Sequence, residues 1–234
     1  MKLLITTRAD DNIREMTNLT HPIIKKFCKE WNADFIILNE PSGCSHGDGK
    51  YHYRILKHYE LFNSYDRILH LDSDMILMPD CPNMFDIVDK DCIGTIYEDK
   101  GSRQHARRQL IQSSQNTYGH VGWSTGYINT GVFMTSKIHK DIFKKIENGY
   151  WVGFGYDDVH LGWNIHKLNY KIQELPFIFN HMSMFSEPLN GYANRFDSYI
   201  MHYAGGFDFP DKNNRNKVSI MKDDIISVYG RLIE

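Results

Sequence analysis

What this sequence lacks narrows its function before any motif is considered. Its four cysteines, Cys28, Cys44, Cys81 and Cys92, stand far apart with no C-x-x-C pair, which argues against a zinc ribbon or a dithiol redox motif and for free thiols in a reducing compartment. No stretch reaches the ~18 apolar residues of a membrane-spanning helix. The opening MKLLITTRADD turns acidic before a signal-type apolar region forms. A soluble, cytoplasmic protein without a transmembrane segment is therefore expected. An excess of one charge is missing too. Lys and Arg number 27 against 29 Asp and Glu, a formal net charge of -2, so neither nucleic acid nor an anionic membrane is expected as the main partner. The basic cluster from Arg103 to Arg108 is short and interrupted. There is no internal repeat and no low-complexity tract. No glycine-rich loop follows the first apolar run, against a dinucleotide or P-loop phosphate site.

What remains is 234 residues with 41% hydrophobic content, enough for one substantial core and one α/β domain. Strands are predicted over Lys2–Thr7, Asp34–Leu38, Arg67–Leu71, Asp91–Tyr97, Tyr127–Met134, Lys171–Leu175, Phe177–Asn180 and Tyr199–His202. Helices are predicted over Asp11–Trp31 with a break near Pro22, and over Tyr51–Asn63, Ile138–Asn148, Val159–Leu168 and Asn216–Ile233. The first strand, helix and strand read as a parallel unit. Residues 98–126 show little regular pattern, and a segment of that length is expected to be a functional loop.

The chain is organised around YDRILHLDSDMILMP, Tyr65 to Pro79. A buried strand ends at Asp72-Ser73-Asp74, and the next residues are apolar again. Two carboxylates at the edge of a core need a counter-charge, and hard oxygen donors suit a divalent cation; an Asx-type turn is the alternative. Thr7 and Arg8 sit where strand ends present ligand groups. Arg54 and Lys57, three apart, either reach one anion together or are solvated separately. In Tyr127–Met134 the strand carries Asn129-Thr130-Gly131, where glycine permits a close approach. Asp157 or Asp158 caps the following helix, leaving the other free. His202 ends an apolar strand just before Gly205 and is either a core residue or a ligand.

Taken in order, Asp72-Ser73-Asp74, Asn129-Thr130-Gly131, Gly155-Tyr156-Asp157-Asp158 and His202-x-x-Gly205 resemble the metal-dependent glycosyltransferases of the A-type fold. The likeness is greatest to the retaining enzymes of family eight, glycogenin and the bacterial galactosyltransferases, and it spans Lys2 to about Gly206. The resemblance implies a single-domain Rossmann-like mixed sheet flanked by helices. Residues 1–100 would form its nucleotide-binding half, 101–215 the donor-sugar and acceptor half, and 216–234 a C-terminal helix. It also implies a UDP-sugar donor, a glycan or other hydroxyl acceptor, and Mn2+ or Mg2+. By this likeness Thr6, Thr7 and Arg8 line the nucleoside pocket, Arg54 and Lys57 face the diphosphate or sugar, and Ser73 and Gly205 belong to the nucleotide site. Asp72 contacts the ribose or the metal, Asp74 and His202 ligate the metal, Asn129 holds sugar hydroxyls, and Asp157 or Asp158 lies near the anomeric centre. The family-eight pattern has a lysine three residues after Gly205, where this chain has Asp208; Lys212 or Arg215 are the substitutes considered. The rival expectations are a sugar-phosphate nucleotidyltransferase and a sugar-nucleotide-binding module without activity. Tyr118 to Trp123, Tyr150, Trp151, Phe154 and Tyr192 are aromatic surfaces suited to stacking on sugars or to core packing.

Overall fold

A computed structural model describes residues 1–205, 209 and 215–233. In chain order its principal elements begin with β1 (Leu3–Arg8), α1 (Arg14–Glu30), β2 (Ala33–Leu38), α2 (Gly49–His52), α3 (His58–Leu61), β3 (Arg67–Leu71) and β4 (Met75–Leu77). There follow α4 (Met84–Ile87), β5 (Cys92–Tyr97), α5 (Gln104–Tyr118), β6 (Ile128–Ser136), α6 (Tyr156–Lys167), β7 (Lys171–Glu174), β8 (Ile200–His202) and α7 (Lys217–Tyr229). Six strands form one mixed sheet in the order β2-β1-β3-β6-β5-β7, and β4 and β8 form a separate antiparallel ribbon. β1 is parallel to β2 and β3, β6 runs against β3 and β5, and β7 is parallel to β5. Among the described residues, no helix is long and apolar enough to cross a membrane.

Alternation along the central strands feeds two apolar layers. Ile5 and Leu69 pack with Ile23 and Phe27 of α1 and Ile225 of α7 on one face. Leu4 and Ile68 pack with Phe62, Phe133 and Leu161 on the other. β3 is buried throughout, including Arg67, whose guanidinium donates to the carbonyls of Phe85 and Val88 at 2.5 and 2.8 Å. The strand thus delivers Asp72 to the rim of a packed sheet, and the ribbon sets Met75 opposite His202.

Several expectations are corrected. Residues 98–126 are irregular only at their two ends: α5 occupies Gln104–Tyr118. Its buried residues are only Ile111, Ser114 and Gln115, too few for an apolar period to show. Ion pairs hold it instead, with Arg103 and Arg107 on Glu98 and Arg108 on Asp99. Phe177–Phe179 is a 3-10 turn after Pro176, not a strand. Residues 138–148 contain only the 3-10 segment Lys137–Phe143, and the expected helix over residues 51–63 is broken by the 3-10 segment Tyr53–Lys57. α1 continues through Pro22. Neither Asp157 nor Asp158 caps α6, because Gly155 does so in a left-handed conformation (φ +83°).

Glu98 is 1% exposed, and its two arginine partners lie largely under cover. Replacing Glu98 with alanine leaves two guanidiniums without their counter-charge, which should cost about 3 kcal/mol. Urea unfolding of Glu98→Ala measures this, and a loss below about 1 kcal/mol would show that α5 does not depend on the pair.

Candidate active site

The site forms where β1 and β3 end and β6 begins, beside the first turn of α6. Asp72 donates its backbone N–H to the Gly131 carbonyl at 2.9 Å, so the turn after β3 is sewn to β6. Ser73 lies beneath it: its hydroxyl donates to the Arg8 carbonyl and sits 3.0 Å from Thr7 Oγ1, while its carbonyl accepts from Thr20 at 2.8 Å. Thr6 Oγ1 is buried between His58 Nε2 at 2.8 Å and His70 Nδ1 at 3.0 Å. The Thr6 and Thr7 hydroxyls are therefore engaged inside the protein, and His70 in turn lies 3.4 Å from Asp72.

Arg8 is the hub. Its Nε donates to Asp72 at 3.2 Å, one terminal nitrogen also pairs with Asp72, and the other pairs with Asp157 and donates to the His52 carbonyl at 2.9 Å. Burial alone would raise the Asp72 carboxyl, but Arg8 offsets it and holds Asp72 well below the usual carboxylate range. The same contest brings Asp157 to about 2, with His52 Nδ1 at 3.1 Å assisting Arg8. Among the described residues Asp158 makes no ion pair. Burial, then the charges of Asp157 and Glu98, push its carboxyl up to about 7. Thr130 Oγ1 stands 2.8 Å from Asp157 and 2.7 Å from Asp158. One hydroxyl hydrogen serves only one carboxylate, and a proton held on Asp158 resolves the triad.

Asp72, Asp74 and His202 bring one ligand atom each within 4.8 Å of one another. His202 Nε2 is 3.3 Å from Asp74 and 3.8 Å from Asp72. Donors on an octahedral ion with bonds of ~2.1 Å lie ~3 Å apart, so two carboxylates and an imidazole at these spacings fit a magnesium- or manganese-sized cation. The imidazole is oriented for the task. Its Nδ1 lies 2.7 Å from the Asn180 carboxamide oxygen, which can only accept, so Nε2 faces the acids. Burial would lower the His202 pKa, but Asp74 and then Asp72 reverse this and raise it. Gly131 makes room: a Cβ there would sit 2.5 Å from His202 Cε1.

Asn129 is tied into the same frame, donating to Glu98 at 3.2 Å and accepting from Gly131 N at 3.0 Å and Asn180 at 2.9 Å. Gly205 offers its carbonyl to the Lys217 ammonium at 2.8 Å, and that ammonium also reaches Asp74 at 3.1 Å. Arg54 pairs with Asp10 at 2.9 Å, whereas Lys57 pairs with Glu60 on the surface, so these two cations serve different carboxylates. Lys212 and Asp208 lie outside the described residues, and Arg215 pairs with Asp223. Sequence reasoning missed His52, Glu98, Thr130, Asn180 and Lys217. Only Thr130 stood inside a recognised motif.

No family model matches the chain, and no curated protein matches it. Solved structures do. One is a glycosyltransferase involved in glycosylation of the major capsid of PBCV-1, at 14% identity over 95% of this chain and 100% of that one, TM-score 0.58. Another is the galactosyltransferase LgtC in complex with donor and acceptor sugar analogs, at 16% identity over 96% of each chain, TM-score 0.61. A third is a Drosophila β1,4-galactosyltransferase 7 variant in complex with manganese, UDP-Gal and xylobiose, at 13% identity over 94% of this chain and 79% of that one, TM-score 0.50. The mixed sheet with its flanking helices is thus the A-type glycosyltransferase fold.

The raised Asp158 carboxyl has a consequence for stability. A group whose folded pKa lies above its unfolded value, here about 7 against 3.8, supports the fold fully below 3.8 and loses that support as pH rises through 7. Asp158→Asn keeps the shape and removes the titration. Thermal melts from pH 4.5 to 7.5 should show the variant gaining on the wild type as pH rises; parallel curves would place the Asp158 pKa in the ordinary range.

Proposed function

We propose that this chain is a glycosyltransferase carrying a sugar from a nucleoside-diphosphate sugar, with UDP as its nucleotide, to an acceptor hydroxyl, using Mn2+ or Mg2+ and retaining the anomeric configuration. The observation that carries the proposal is the meeting of Asp72, Asp74 and His202, drawn from distant parts of the chain, beside the Asp157–Asp158 pair. The fold supports it, and the neighbour holding manganese and UDP-Gal supports the choice of metal and nucleotide. In this reading residues 1–100 hold the nucleotide, with Arg8 and Arg54 as its cationic side, and residues 101–215 hold the donor sugar and acceptor.

Breaking the bond from the anomeric carbon to the diphosphate leaves negative charge on the phosphate and positive charge on the ring. A cation held by Asp72, Asp74 and His202 would supply Lewis-acid neutralisation of the phosphates. Lys217, anchored on Asp74 and the Gly205 carbonyl, adds a fixed positive charge to the same spot. It takes the role that the family-eight lysine, replaced here by Asp208, would fill. Asp157 stabilises the ring charge. Both its oxygens are occupied, one by His52 and the other by Arg8 and Thr130, which keeps it ionised and makes it a poor nucleophile. Asp158, holding a proton up to about pH 7, is no better a nucleophile. Both facts favour a front-face path, in which the acceptor oxygen bonds to the anomeric carbon while its proton passes to the departing phosphate oxygen.

Calorimetric titration with UDP, with and without Mn2+, tests the proposal. UDP should bind far more tightly with metal, Asp74→Ala should lose that difference while keeping its melting temperature, and UTP with a sugar phosphate should give no turnover. Equal UDP affinity with and without Mn2+ in the wild type would end the metal-dependent reading. In Lys217→Met, UDP affinity should fall about tenfold, the size of one charged hydrogen bond, with uridine affinity unchanged; an unaltered UDP affinity would remove Lys217 from the phosphate site.

A further inference from the structure

Beyond Glu98, the outer face of α5 and Phe154 line an open groove of about 600 Å3, a size within the range of small-ligand sites. One wall is the stripe Gln109, Gln112, Ser113 and Asn116, which share a helix face by their spacing of three, four and seven. All four are exposed, and the carboxamides of Gln109, Gln112 and Asn116 have no hydrogen-bond partner among the described residues. The other wall is Phe154, whose ring is 66% exposed. The backbone that carries that ring is held in place. A Cβ at Gly153 would strike the Trp151 indole at 2.3 Å, one at Gly155 would strike the Tyr127 hydroxyl at 2.2 Å, and the Trp151 Nε1 donates to the Phe154 carbonyl at 2.9 Å. Arg107 joins the walls, its guanidinium 5.2 Å from the Phe154 ring centre and bonded to Glu98 at 2.6 Å.

This chemistry matches an uncharged sugar chain. A pyranose offers an apolar C–H face, which an exposed phenyl ring covers, and a rim of adjacent hydroxyls, which carboxamides meet as donor and acceptor together. No carboxylate lines the cavity, and its one guanidinium is committed to Glu98, so a charged ligand finds no free counter-charge. An aliphatic ligand would leave the three amides unmatched. Two links run from the groove toward the acids: the loop carrying Phe154 leads through Gly155 into the first turn of α6, which bears Asp157 and Asp158, and Glu98 is shared between Arg107 and Asn129.

We infer that the groove between α5 and Phe154 is the acceptor subsite and that it takes a neutral oligosaccharide. Its role as acceptor site rests on the transferase reading, whereas its affinity for neutral glycans stands alone. The full chain, labelled and applied to a surface array of neutral and acidic oligosaccharides, reads that affinity, with UDP titrated in parallel in the presence of Mn2+. Neutral glycans should be retained in preference to acidic ones. Phe154→Ala and the double variant Gln112→Ala with Asn116→Ala should each weaken that retention at least tenfold, with UDP affinity unchanged. If no neutral glycan is retained, or if both variants hold the same glycans as tightly as the wild type, the inference fails even where UDP binds. If glycan retention depends on these residues but UDP does not bind, the groove survives as a carbohydrate site and the transferase reading falls.

Discussion

A single guanidinium joins the acidic residues of this site. Arg8 ends β1, beside the central strand β3, and it neutralises one carboxylate from the turn after β3 and another from the first turn of α6. Without it, Asp72 and Asp157 would be two like charges facing each other across a partly desolvated gap, where mutual repulsion and burial both favour protonation. With it, both stay ionised and Asp158 becomes the group that holds the spare proton. The division of protons among three neighbouring acids therefore follows from the position of one cation.

Behind that pair, the frame is a set of polar groups anchored by other polar groups. Glu98 holds Asn129, Asn129 meets Asn180, and Asn180 orients His202. Each link is buried or nearly so, and each donor meets an acceptor, the condition under which such a network rigidifies a site. α5 belongs to this frame through Arg103 and Arg107, which explains how a helix with so little apolar surface is retained on the domain.

Much of this was readable before any coordinates. The apolar run 67–71 followed by two acids marked a strand end carrying charge, and His202 at the close of a short strand was singled out as a ligand candidate. These were legible because strand period and burial conflict show locally. The partners were not. Asn180 falls in a stretch whose composition resembles a strand, and nothing in it tells that Pro176 turns the chain so that this amide meets an imidazole 22 residues later. α5 escaped notice because ion pairs, invisible to an apolar pattern, hold it. The capping role assigned to Asp157 or Asp158 failed for a related reason: Gly155 begins the helix and frees both carboxylates for longer-range partners.

The β4–β8 ribbon is only three residue pairs long, yet its register helps to align His202 with Asp74. Side chains alternate faces along a strand, so a slip of one position would turn the imidazole away from the acids while leaving most of the main-chain bonds intact. Two strands from opposite ends of the fold, with β5, β6 and β7 between them in the chain, thus meet in a ribbon whose phase is as much a part of the site as its side chains.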